Sequence, residues 1–127
     1  MTLIENATLA CEAFNRNMKA LFPNFTAEAK LHNTLGPHVS VVFADVASEK
    51  EAPHGIIRNA KCYMLFMMHL SDNFGNPLAD DSKVSIEQLT SNSRSVKYRK
   101  ISGKTPEDAM QKLLKWFQKN ADTINSL

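Results

Sequence analysis

Glycine is scarce in this chain, four in 127 residues, and none of the four falls in a GxGxxG or GxxxxGK pattern. The glycine-rich turns that cradle phosphates in nucleotide-binding folds are therefore excluded. Cysteine is scarcer. Cys11 and Cys62 lie far apart without CxxC spacing, which speaks against a disulfide framework or a zinc ribbon and leaves two buried free thiols as the expectation. Long apolar runs are missing as well: the longest, Cys62 to Met68, has seven residues, whereas a bilayer span needs about 20. The opening Met1-Thr2-Leu3-Ile4-Glu5 has no basic n-region and no unbroken apolar stretch, so no signal peptide and a cytoplasmic location are expected. The Asn6-Ala7-Thr8 and Asn24-Phe25-Thr26 triplets then carry no glycosylation reading.

What is present is ordinary for a globular chain. Hydrophobic residues make up 43% and charged residues 22%, with 15 Lys plus Arg against 13 Asp plus Glu. That is enough apolar material for one core without metals or staples, in a single domain spanning residues 1–127. Thr2 and Glu5 have capping-box spacing, and Ile4, Ala7, Cys11, Phe14, Met18 and Leu21 recur every three or four residues up to Pro23, which predicts a helix over 3–21. After Pro23, Phe25, Ala27, Ala29 and Leu31 alternate with polar residues. This predicts a short strand, with a second helix capped by Thr26 as its rival.

Thr34-Leu35-Gly36-Pro37 reads as a turn, and Val39 to Val46 as the second arm of a hairpin. A polar loop, Ser48 to Gly55, precedes a long strand over Ile56 to Leu70, bent or bulged, whose two faces are both apolar at the middle. The polar segment Ser71 to Ser82 ends it. Val84 with Ile86, and Val96 with Tyr98, alternate with polar residues on either side of Ser91-Asn92-Ser93 and predict a second hairpin. Thr105-Pro106-Glu107-Asp108 then supplies a cap, a proline at the first helical position and two acids in the first turn. The last helix runs from there to about residue 124, burying Met110, Leu113, Leu114, Phe117, Ala121 and Ile124. Hairpin-length connections predict an α+β fold: an N-terminal helix, an antiparallel meander of four or five strands and a C-terminal helix, both helices on one sheet face. Double-stranded-RNA-binding domains share this order of elements, but their Gly-rich, Lys-Lys-Ala-type segment before the last helix is absent here. The residues identify no family.

Two features stand out for function. The first is the odd-numbered face of the long strand, where Tyr63, Leu65 and Met67 are exposed if helices cover only the other face. Val41 or Val42 would enlarge the patch, which fits a homodimer or another protein partner, unless a loop or the 71–82 segment folds over it. The second is charge: residues 94–120 hold eight basic and two acidic residues, although residues 1–93 hold seven and ten. Lys97 and Arg99 share one side of a predicted strand, and Lys112, Lys115 and Lys119 one face of the last helix, a surface suited to nucleic acid or another polyanion.

Signs of chemistry are few. His32, His38, His54 and His69 with the two cysteines and Asp72, Asp80 and Asp81 show no HxH, HExxH, CxxC or EF-hand spacing, and no nucleophile signature occurs. No metal, cofactor or catalytic residue is expected. The sequence therefore reads as a small non-catalytic binding or adaptor protein, of the accessory or inhibitor kind that phages and mobile elements carry. The alternatives are a nucleic-acid-binding accessory protein and a small enzyme using His38 or His69 in a pocket between helix and sheet.

Overall fold

The computed structural model describes residues 1–45 and 61–127. Among these residues there are two helices, α1 (Leu3–Leu21) and α2 (Pro106–Asn125), and five strands, β1 (Thr26–His32), β2 (His38–Ala44), β3 (Tyr63–His69), β4 (Val84–Ser91) and β5 (Ile101–Gly103). The strands form one antiparallel sheet in the order β1-β2-β3-β4-β5. This is the expected α+β fold.

Local chemistry starts each helix where the sequence places it. The Thr2 hydroxyl accepts the Glu5 N–H at 3.1 Å while the Glu5 carboxylate accepts the Thr2 N–H at 3.2 Å, closing the capping box of α1. At α2 the Thr105 hydroxyl accepts the Asp108 N–H at 3.0 Å, one position before Pro106. Both helices lay their apolar stripes on the same sheet face. Leu3, Ala7, Phe14 and Met18 of α1 and Met110, Leu113, Phe117 and Ile124 of α2 are buried against Val39, Val41 and Phe43 of β2, Met64, Phe66 and Met68 of β3, and Val84 and Ile86 of β4. Phe117 stands at the middle of this core, with ring centroids 4.8 Å from Phe43, 5.8 Å from Phe66 and 6.2 Å from Phe14. The strand alternation settles that Val41 points inward and Val42 outward.

Residues 26–32 form a strand and not the rival helix. Their period of two lets Ala29 and Leu31 face the helices while Glu28 and Lys30 face away, and β1 pairs with β2 along its whole length. β1 is an edge strand, and α1 covers the backbone of its central residue: Asn15 donates its amide N–H to the Ala29 carbonyl at 3.0 Å and accepts the Ala29 N–H at 2.7 Å. This blocks the edge against another strand. At the other edge, a side chain on Gly103 would sit 2.8 Å from the Ala109 Cα and 2.9 Å from its Cβ. Only glycine lets β5 run this close beneath the first turn of α2.

Three expectations are corrected. The strand expected over Ile56 to Leu70 is the shorter β3, because Lys61 and Cys62 form a bend tied to Asp45: the Asp45 N–H donates to the Cys62 carbonyl and the Lys61 N–H to the Asp45 carboxylate. Ile56 to Ala60, Val46 and the Ser48 to Gly55 loop lie outside the described residues. The expected irregularity belongs to the β3–β4 pairing, where the register shifts between Leu65 and Phe66 and leaves Leu89 as an extra residue on β4. The strand expected over Ser95 to Arg99 is absent. Val96 and Tyr98 do point inward, but side chains anchor this segment in place of a ladder: the Tyr98 hydroxyl donates to the Ile86 carbonyl and accepts the Ile101 N–H. Pairing with β4 then falls to Ile101–Gly103.

Candidate interaction surfaces

The face of the sheet away from the helices is built from residues that alternate with the core set. Strand register orders them in transverse rows: Glu28, Val42, Leu65 and Thr90 in one, and Lys30, Ser40, Met67 and Glu87 in the next. Tyr63 stands beside Ala44 at one end and His32, His38 and His69 close the other. The structure therefore brings Tyr63, Leu65 and Met67 onto one face with Val42, each half-buried. Among the described residues no helix or strand lies over them. The 71–82 connection is held on the helix side, where Leu78 packs on the core and the Asp80 carboxylate accepts the Leu3 N–H at 2.8 Å.

The basic residues separate into two groups. Lys97, Arg99 and Lys119 meet around a notch of about 400 Å³ between α2 and the irregular 92–100 segment, with Trp116, Ser95 and Asn120 completing its lining. Lys97 and Arg99 lie on that segment and not on a strand. Its backbone is held to the helix by Trp116, whose indole N–H donates to the Lys97 carbonyl at 3.0 Å. Lys112 is elsewhere: its ammonium donates to the Ser102 carbonyl at 3.0 Å and pairs with the Asp108 carboxylate at 3.4 Å. Hydrogen bonding to the Lys104 N–H, with the Lys112 charge adding to it, holds Asp108 below the usual carboxylate range. Lys115 is exposed on α2. From sequence, Trp116 is expected with Phe117 where the two helices join on the sheet, and not at a binding site. Its signal is faint but present, since Trp116 precedes the buried Phe117 by one position and stands three before Lys119, at the border of the apolar and basic faces.

His32, His38 and His69 lie across β1, β2 and β3 on the outer face, away from α1 and α2, so among the described residues these two helices form no pocket with the sheet around His38 or His69. Strand parity explains it, because all three occupy the positions that alternate with buried neighbours. The His32 and His38 rings stack at 4.6 Å and 14°. His32 Nε2 is hydrogen-bonded to the Ser40 hydroxyl at 2.8 Å and His38 Nδ1 to the Gly36 carbonyl at 3.1 Å. Burial, with the neighbouring His38 and Lys30 charges, lowers the His32 pKa. A cavity between α1 and α2 is lined by Leu9, Phe14, Arg16, Met110 and Leu114 among others, and one between α1 and β1 by Asn15, Lys19, Phe25 and Glu28 among others; neither is lined by a histidine or cysteine.

Cys11 and Cys62 are both buried and unpaired, and burial pushes each thiol up to about 11. A thiol that stays protonated at neutral pH is a poor nucleophile. Among the described residues no group of three His, Cys, Asp or Glu side chains is placed to hold a metal ion. No helix among them is long and apolar enough to cross a membrane.

No family model, curated protein or solved structure matches the chain. The reading of its function therefore rests on these two surfaces.

Proposed function

We propose that this is a non-catalytic, cytoplasmic binding protein that works through the outer face of its sheet, and that a second copy of the chain occupies that face. The observation that carries this is the pattern of the face itself. Its centre is apolar, with Val42, Leu65 and Met67, and the row through Met67 ends in Lys30 on β1 and Glu87 on β4. A two-fold axis parallel to the strands and passing between β2 and β3 exchanges β1 with β4 and β2 with β3 across the contact. It sets each Leu65 over the second copy's Val42 and each Lys30 over the second copy's Glu87. Sheets packed face to face lie about 10 Å apart, a gap that lysine and glutamate side chains can span. An isologous contact of this kind repeats each favourable pair twice. The two buried unpaired thiols support a reducing compartment.

Light scattering should report a dimer at micromolar concentration. L65E/M67E should be monomeric with an unchanged circular dichroism spectrum, because it buries four carboxylates in a desolvated contact. Lys30→Glu and Glu87→Lys should each weaken the dimer roughly tenfold or more, since each turns two attractive pairs into repulsive ones. Combined, they should restore it. A wild type that is monomeric at 100-fold higher concentration, or a double charge reversal no tighter than the single ones, refutes the proposal.

A further inference from the structure

We infer that the notch beside Trp116 is a binding site for single-stranded nucleic acid, with phosphates held by Lys97, Arg99 and Lys119 and a base resting against the exposed part of the indole. This stands independently of the sheet-face proposal. Three observations carry it. First, the three cations converge on one notch from two separate elements, and among the described residues none has a carboxylate at ion-pair distance; the ion pair that is found, Lys112 with Asp108, lies outside it. Cations brought together without counter-charges repel one another, and a bound polyanion relieves that repulsion. Second, an aromatic ring sits among them. Trp116 donates its N–H to the Lys97 carbonyl and packs at steep angles against Phe117, Tyr98 and Phe66, so the ring is fixed in place before any ligand arrives. A fixed ring flanked by cations is the arrangement on which single strands stack, tolerant of sequence because every base has a π-face. Third, positive charge continues past the notch. Arg94, Lys100 and Lys115 are exposed on the same segment and helix. A chain of phosphates can use that extension, which a free nucleotide cannot.

The chain has one tryptophan, so its emission reports the site directly. Ten-nucleotide oligo-dT and oligo-U should quench it saturably at 50 mM salt. Three phosphate contacts on a single strand predict a slope near −2 in log affinity against log salt, so affinity should fall roughly 20-fold between 50 and 200 mM. K97A/R99A/K119A should abolish binding while keeping the urea midpoint of the wild type. Lys112→Ala should bind as wild type, since that ammonium is already committed to Asp108 and Ser102. Trp116→Phe, followed by anisotropy of a labelled oligonucleotide, should bind at least fivefold more weakly. Adenosine monophosphate and a ten-base-pair duplex serve as comparison ligands, each expected to bind at least tenfold more weakly than the single strands. The inference is overturned by any of four results: no binding of either oligonucleotide at 50 mM salt, equal losses in Lys112→Ala and the triple variant, a duplex bound as tightly as the single strand, or a free nucleotide bound as tightly as either.

Discussion

Replacing Phe117 with alanine tests the packing on which both surfaces depend. Phe117 has no exposed surface, and its ring lies within 4.8 to 6.2 Å, centroid to centroid, of five others: Phe43, Trp116, Phe66, Phe22 and Phe14. These rings come from α1, the segment after it, β2, β3 and α2 itself, so the cavity left by truncation is walled by every layer and cannot close by moving one. Large-to-small changes at such sites cost about 3–5 kcal/mol, the lost transfer energy adding to the cavity term. The tilted and edge-on ring contacts, each contributing about 0.5–1.5 kcal/mol beyond burial, place this site toward the upper end of that range. A domain of this size has roughly 5–15 kcal/mol of stability in total. Urea unfolding followed by Trp116 fluorescence is a local probe as well as a global one, since the two rings are 4.9 Å apart. Phe74→Ala, at a side chain 86% exposed, is the matched control and should lie within about 0.5 kcal/mol of wild type. A loss below about 1 kcal/mol in Phe117→Ala would show that the ring is not the shared centre of the core.

Two further outcomes follow from particular contacts. Asn15→Ala removes both hydrogen bonds to Ala29 and should cost about 1–3 kcal/mol by urea unfolding; because it also opens the β1 edge, light scattering should detect species larger than in wild type, and a variant unchanged in both measurements contradicts the edge-blocking role. The lowered His32 pKa, caused first by burial and then by His38 and Lys30, means that unfolding takes up a proton on this side chain below the unfolded value of about 6.5. Its contribution to stability is therefore complete above that pH, declines as pH falls through 6.5, and stops declining below the folded-state pKa. Comparing wild type with His32→Gln between pH 7.5 and 5.5 should show the shallower decline in the variant, and parallel curves would exclude His32 as a source of the slope.

Periodicity made most of the fold legible, and the places where it misled share a cause. The two helices, the first hairpin and the alternation of β3 all follow from which residues must leave water, and their boundaries follow from caps at Thr2 and Thr105. Val96 and Tyr98 alternate just as a strand does, yet their segment is irregular. Alternation reports which side chains are buried, and here a tyrosine hydroxyl takes backbone groups that a ladder would otherwise use. The basic residues failed in the same way. Lys112, Lys115 and Lys119 share a helix face by spacing, but spacing carries no information about Asp108 and Ser102, which claim Lys112 and leave Lys119 to meet Lys97 and Arg99 across the chain. The histidine row was invisible for a further reason: His32, His38 and His69 become neighbours only through the registers of two hairpins, and no local pattern announces a register.

The two surfaces lie on opposite sides of the molecule, and that placement decides how they can work together. Trp116 and Lys119 belong to α2, which packs on the inner face of the sheet, whereas Tyr63, Leu65 and Met67 point from the outer face. A dimer formed through the outer faces leaves both notches open, one on each side of the pair. No side chain contributes to both surfaces, so residues from each should act additively, as sites without shared partners do. Dimerisation would then raise affinity for a long strand without changing the intrinsic affinity of either notch, because the second contact is made at the effective concentration that the first one sets. The distinction is measurable: L65E/M67E should bind a ten-nucleotide strand as wild type does, yet lose affinity for a strand long enough to reach both notches. Equal affinity of the dimer and the monomeric variant for every length would mean that the two notches cannot engage one strand. A loss already present with the ten-nucleotide strand would mean instead that the sheet face and the notch are coupled through the core, contrary to their separation in the fold.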